Sequence, residues 1–180
     1  MKKTRFVLFA ALVAALAVAF TSCKMEIPTV PAEKQGIYVP AKVIYTEGDT
    51  VTTDVADWTN KTCTRNGEEV TLFETRLDIA DAWKVEATTA HMSTSYITDS
   101  EFHELGYLAY DEWGTTEYTA EPDGNNIVLK VYMGSLFGYQ VWETFYPSDD
   151  PAYDYYTFFE HEATSDSDHT YTKETYYKIF

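Results

Sequence analysis

The sequence predicts an all-β fold: an antiparallel up-and-down β-barrel, with a two-sheet β-sandwich as the alternative. Three observations carry that expectation. The chain holds fifteen Tyr, ten Phe and four Trp in 180 residues, beside many Val, Ile and Thr. Such side chains fit a pleated, half-buried surface. They fall into about eight to ten short runs separated by turn signals, the spacing of an antiparallel barrel or sandwich. One of those signals, Asn66-Gly67, is the strongest two-residue hairpin marker, because both residues accept the positive φ of a type I′ turn.

The first run is GIYVPAKVIY (36–45), where Pro40 demands a sheet edge or a bulge because it brings no N–H to a ladder. TVTTDV (50–55) alternates, with Val51, Thr53 and Val55 on one face. NKTCTRNGEEVTLFETRL sets Asn66-Gly67 between two strands. Its second half is ambiguous. Val70, Phe73, Leu77 and Ala80 are spaced as on a helix face, yet also fit a strand leaving the turn. We read a strand to about Leu77 and a short irregular or helical piece near 78–82. WKVEATT (83–89) and HMSTSYI (91–97) follow as strands, and HELGY (103–107) reads as a turn leading into a strand YLAYDEW. TTEYTAEPDGNNIVLKVYM reads as a hairpin around Pro122-Asp123-Gly124-Asn125, with Ile127, Leu129 and Val131 on one face. YQVWETFY (139–146) and YDYYTFFEHEA (153–163) are aromatic strands, and HTYTKETYYKIF closes the chain after the turn TSDSD.

These runs occupy residues 36–180, long enough for one domain with a proper core. What precedes them has a different character. Lys2, Lys3 and Arg5 open the chain, and an uncharged apolar stretch runs from Phe6 to Phe20. That is the layout of a secretory signal, and the stretch is short for a permanent membrane span. Thr21, Ser22 and Cys23 come next. The order of charge, apolar run, two small residues and Cys resembles the lipobox of bacterial lipoproteins. The resemblance implies cleavage after residue 22 and acylation of Cys23 with fatty chains such as palmitate. Two or more chains hold a protein stably on a bilayer where one does not. Residues 23–35 then read as the lipidated cysteine and a flexible tether, with Pro28 and Pro31 favouring extension. Lys24 is not the Asp that marks inner-membrane retention, so the resemblance points to the outer membrane of the cell envelope.

The span 36–180 in turn resembles the lipocalin-like domains of bacterial lipoproteins. The likeness lies in QGIY (35–38), where Tyr38 stands in place of the family's usual Trp, and in YITDSEF (96–102). It extends to YTAEPDGNNIVL (118–129) and the Lys-bearing last strand TYYKIF. It implies a barrel whose interior takes a small apolar or amphipathic ligand.

Residues that bear chemistry are present without a constellation. HELGY lacks the second His of the zinc motif His-Glu-x-x-His, and Tyr107 stands in that place. EHEATSDSDH (160–169) gathers Glu160, His161, Glu162, Asp166, Asp168 and His169, but it fails the calcium-loop pattern and reads as a solvated acidic turn. We find no nucleophile elbow and no phosphate-binding loop. The expectation is therefore a non-catalytic protein with no catalytic residue, no cofactor and no metal. With Cys23 acylated, Cys63 has no partner and reads as a buried small hydrophobe; a Cys23–Cys63 disulfide is the alternative. Loss of residues 1–22 removes three basic and no acidic residues, deepening the formal charge from −16 to −19. Such a surface repels nucleic acid and anionic headgroups. The abundant aromatics supply a core, and any that are exposed suit stacking on a glycan or packing on a protein partner.

Overall fold

The structure is a computed structural model that describes residues 28–165 and 168–180. Its organising element is the long strand β1 (Gly36–Glu47). At Pro40 the register against the last strand shifts and Ala41 is left without a partner, a bulge that bends the strand. The indole of Trp58 donates its Nε1–H to the Pro40 carbonyl at 3.0 Å, so the acceptor at the bend is satisfied. The bend lets one edge of β1 serve two neighbours. Gly36–Tyr38 pair with β5 (Trp83–Val85), and Lys42–Glu47 pair with β2 (Thr50–Asp57).

From β5 the sheet runs in chain order through β6 (Thr89–Met92), β7 (Tyr118–Asp123), β8 (Asn126–Tyr132), β9 (Tyr139–Pro147), β10 (Tyr155–His161) and β11 (Tyr171–Ile179). β11 then pairs antiparallel with β1 from Tyr38↔Ile179 to Glu47↔Tyr171, which closes the ring. β1 and β5–β11 thus form a closed, antiparallel, eight-stranded up-and-down barrel of lipocalin-like architecture. A β-sandwich would leave that last edge open. β2, β3 (Thr62–Arg65) and β4 (Glu68–Val70) extend the sheet as a flap off β1. The β3–β4 turn is Asn66-Gly67, with φ of 52° and 86°, as its sequence requires.

Two cores follow. Inside the barrel, Tyr38, Trp83, Phe145, Tyr177, Ile127 and Leu129 pack together with Val30. Trp83, Tyr38 and Tyr177 meet the Phe145 ring in edge-on contacts, with Tyr38 4.9 Å away. Each fully buried apolar side chain stabilises by about 1.5–3 kcal/mol of transfer free energy. Val30 falls in the stretch expected as tether, yet it is buried, and its N–H bonds to the Ala87 carbonyl. The second core lies between the flap and residues 72–110. It holds Val39, Ala56, Cys63, Leu72, Leu77 and Tyr110, with Trp58 edge-on to Phe102 at 5.0 Å.

Residues 71–77 are not a strand, contrary to the sequence expectation, whereas 78–82 are irregular as expected. β4 ends at Val70, and a capping box of Thr71 and Glu74 starts a 3-10 turn over Leu72–Glu74. The core is met by Leu72, Leu77 and Ala80, whereas Phe73 is 75% exposed. YLAYDEW is not a strand either. Thr98 and Glu101 form a second capping box that starts α1 (Asp99–Glu104), followed by a 3-10 turn over Gly106–Ala109. In β2 the buried face carries Asp54 and Ala56, while Val51 is 54% exposed. Asp54 lies opposite Arg65 and takes its guanidinium at 2.8 and 2.9 Å and the Arg76 N–H at 2.7 Å. A fully paired carboxylate can therefore sit where the alternation places a hydrophobe.

Candidate functional site: the barrel mouth

Directly opposed residues in an antiparallel pair share a face, so the register identifies the lumen lining. Between β10 and β11 the inward pairs are Tyr155–Tyr177, Thr157–Thr175, Phe159–Lys173 and His161–Tyr171. Between β8 and β9 they are Ile127–Phe145 and Leu129–Glu143. Both series change character at the same height. The lower half is rings and aliphatics with the buried Thr157–Thr175 pair, packed almost without exposure. From Glu143 and Lys173 upward the lining is charged, aromatic and open.

Several elements build this mouth. β5 is preceded by Asp81, which continues the line of Trp83 toward the open end. β7 begins at Tyr118, whose ring lies edge-on to Trp83 at 5.1 Å. β9 carries a register shift opposite Leu129/Lys130, where Trp142 is the extra residue between Val141 and Glu143. Such a bulge re-aims a side chain, and the Trp142 ring stands 5.7 Å from Tyr118. On the far wall Tyr45 and Tyr171 lie 5.0 Å apart, with the Arg76 guanidinium 4.0 Å over the Tyr45 ring. A side cleft of about 390 Å³, lined by Asp81, Met92, Tyr96 and Tyr118 among others, opens beside them.

The electrostatics of the mouth are set by burial. Desolvation pushes the Glu143 carboxyl up to about 7; the Thr144 N–H and Lys173 oppose this, and Asp81 adds to it. Burial also raises Asp81, with Lys173 pulling the other way. Burial, then the neighbouring Glu143, raises the Tyr177 phenol. Among the described residues Lys173 closes no direct ion pair with either carboxylate. The site therefore offers a half-desolvated acid pair, one unlocked ammonium and a wall of rings. That set can hold a small molecule with an apolar body and a polar head.

Cys23, the one site residue expected from sequence, lies outside the described residues. Cys63 is a free, buried thiol, and burial pushes it up to about 12. In HELGY, His103 lies in the last turn of α1, where Lys61 caps the helix by donating to the carbonyls of His103 and Glu104 at 2.8 and 2.7 Å. In the acidic turn, His161 Nε2 and Asp168 Oδ2 are 3.0 Å apart, and that contact draws the Asp168 carboxyl down to about 2; Asp166 lies outside the described residues. Among the described residues no three His, Cys, Asp or Glu converge as metal ligands.

The mouth was not legible in advance. Glu143, Lys173 and Asp81 carry no motif. The available signal was parity: Lys173 two residues from Thr175 and four from Tyr177, and Glu143 two from Phe145, charges on otherwise inward faces. No family model, curated protein or solved structure matches this chain.

Proposed function

We propose that this chain is a lipid-anchored lipoprotein of the bacterial cell envelope whose barrel binds a small amphipathic ligand at its mouth. The lipobox order ending in Cys23 supports the anchor, and Lys24 favours the outer membrane. One observation carries the ligand reading: above a sealed ring-packed floor that ends at the buried Tyr118, the lumen lining switches to an open tier of Trp142, Phe159, Glu143, Asp81 and Lys173. A purely structural barrel gains nothing by placing carboxylates and an ammonium on inward faces, because their desolvation opposes folding. The bound molecule lays its apolar part on the rings and its head among the charges. The protein is non-catalytic and takes no cofactor, metal or nucleic acid.

The test is mass spectrometry of small molecules that copurify with the native full-length protein, beside the Glu143→Gln/Lys173→Met double variant. The proposal expects an amphipathic species that the variant loses. An equal yield from both proteins, or none from either, counts against the mouth. Replacing Cys23 with Ala should release the protein from the membrane fraction, and retention there counts against acylation.

A second reading, a carbohydrate partner, has one observation in its favour. On the outer face Tyr146, Tyr156, Tyr176 and Tyr153 form a ladder with ring spacings of 5.5, 5.5 and 5.4 Å. Lys42 Nζ sits 4.0 Å over Tyr176 and bonds to Asp150. Rings with polar edges beside charged hydrogen-bonding groups suit a sugar face. Retention of the Glu143→Gln/Lys173→Met variant on a glycan array, lost on Tyr156→Ala, would favour this reading.

A further inference from the structure

The β8–β9 hairpin has a composition unlike the rest of the chain. Residues 131–142, VYMGSLFGYQVW, contain no charge in a protein of formal charge −16. Its tip side chains point into solvent: Leu136 is 89% and Phe137 69% exposed, the largest apolar exposures of the loop. The tip is nonetheless ordered by its own backbone. Gly138 N donates to the Gly134 carbonyl at 2.8 Å, Phe137 N to the same oxygen at 3.2 Å, and Met133 N to the Gly138 carbonyl at 2.8 Å. Gly134 and Gly138, at φ of 90° and 62°, allow this compact closure. The loop therefore satisfies part of its backbone hydrogen bonding internally, and at interfacial depth its remaining N–H groups can be met by water and headgroup oxygens.

The side chains are also layered. Leu136 and Phe137 form the tip. Tyr132 and Tyr139 form the next tier, with their rings 5.3 Å apart. Lys130 and Glu143 come only behind them. An apolar tip, then rings with polar edges, then charge is the order of a bilayer interface read from the acyl chains outward. Two strand residues back from the tip is about 7 Å, within the roughly 5–10 Å depth of interfacial insertion. The absence of positive charge fits a zwitterionic surface and not an anionic one.

We infer that the β8–β9 tip inserts into the interface of the zwitterionic bilayer that holds the lipid anchor, so that the barrel lies along the membrane with its mouth beside the headgroups. This rests on the anchor reading of Cys23. The lengths agree. The chain enters at the floor, where Val30 packs and Lys34 bonds to Asn125 in the β7–β8 turn, whereas the tip lies at the mouth. Seven residues from Val30 back to Cys23 span at most about 24 Å. The seven residues of β8 rise about 23 Å. An upright barrel would hold the tip a full strand length away from the surface, and one lying down brings both to it. A ligand moving between bilayer and mouth would then cross no open water.

The experiment uses the natural acylated protein in phosphatidylcholine vesicles, with Leu136→Cys carrying an environment-sensitive nitrobenzoxadiazole and Asp49→Cys, in the β1–β2 turn, as a second site. The expected result is a blue-shifted emission from position 136, about twofold or more brighter, quenched by lipid brominated high on the acyl chain. Position 49 should stay water-like. One label per chain reports that Cys23 is blocked. Flotation with one label but a water-like position 136 overturns the insertion and leaves the anchor standing. Two labels per chain show the anchor reading failing by itself; quenching at 136 would then still uphold insertion, and its absence would end both. Emission already blue-shifted before vesicles are added overturns the inference in favour of contact between two copies of the chain.

Discussion

Replacing Glu143 with Gln should flatten the protein's loss of stability with rising pH. In the folded state the carboxyl is held at about 7, mainly by desolvation. In the unfolded chain it returns to about 4.3. The folded state therefore binds the proton more tightly. Below about pH 4 both states are protonated and the group is neutral in the balance. Between about 4.3 and 7 the unfolded state releases its proton first, and stability falls as pH rises. Above about 7 the loss is complete. At 1.36 kcal/mol per unit the full difference is roughly 4 kcal/mol, and the residual solvent contact of the side chain trims it to about 2–3 kcal/mol. Asp81, raised for the same reason, contributes with the same sign. The assay is urea unfolding at a series of pH values, taking Glu143→Gln minus wild type at each so that other groups cancel. The difference should be near zero at pH 4 and reach about 2–3 kcal/mol in favour of Gln at pH 8, a midpoint shift of about 1 M. A flat difference, or one that grows toward acid, would refute the account of a desolvated carboxylate at the mouth. A cationic ligand should hold the carboxylate charged and reduce the wild-type slope.

Asp54→Ala should cost about 3 kcal/mol by urea unfolding, because it strands the Arg76 N–H and unpairs Arg65; a loss under about 0.5 kcal/mol would show the buried pair to be dispensable. Gly36→Ala should destabilise by about 2 kcal/mol or more, since a Cβ there would lie 2.7 Å from Ile179 Cγ2 and 2.8 Å from the Phe180 carbonyl at φ +146°. Wild-type stability in that variant would mean that β1 and the chain end do not close as described. Cys63 should react with iodoacetamide about a thousandfold more slowly in the native protein than in urea, its thiol being buried and raised to about 12; equal rates would place it at the surface.

What the chain disclosed in advance was local chemistry. Asn66-Gly67 could only be a tight turn, Pro40 had to sit at an edge or a bulge, and Ile127, Leu129 and Val131 alternate because one face of β8 meets the barrel core. What it concealed depended on partners remote in sequence. Val51, Thr53 and Val55 were expected to share one face, yet the buried face is that of Asp54, because Arg65 and the Arg76 N–H satisfy the carboxylate there. Val70, Phe73, Leu77 and Ala80 suggested one continuous period, but the capping box of Thr71 and Glu74 breaks it and turns Leu72 inward in place of Phe73. The same Thr-x-x-Glu signal at Thr98 and Glu101 marked α1 and was legible in principle. The mouth stayed hidden because Asp81, Glu143 and Lys173 stand dozens of residues apart and meet only once the sheet closes.

The division of the lumen also sets what the barrel can take. Tyr38, Trp83, Phe145 and Tyr177 fill the lower half, and each holds its neighbour's ring edge-on, so space for a ligand there would need several buried rings to move together. Tyr38 is further pinned by its hydroxyl, which donates to the Lys34 carbonyl at 2.6 Å. On the ligand reading proposed above, a guest is confined to the upper tier, where the bulge at Trp142 both supplies a ring and leaves Glu143 facing Lys173's wall. It must be short in its apolar part, with a head small enough to reach two carboxylates and one ammonium. Trp142→Ala should then weaken the capture of such a guest without lowering stability by more than about 1 kcal/mol, since the ring is already half in solvent. A large stability loss with capture intact would mean that the bulge serves the sheet and not the site.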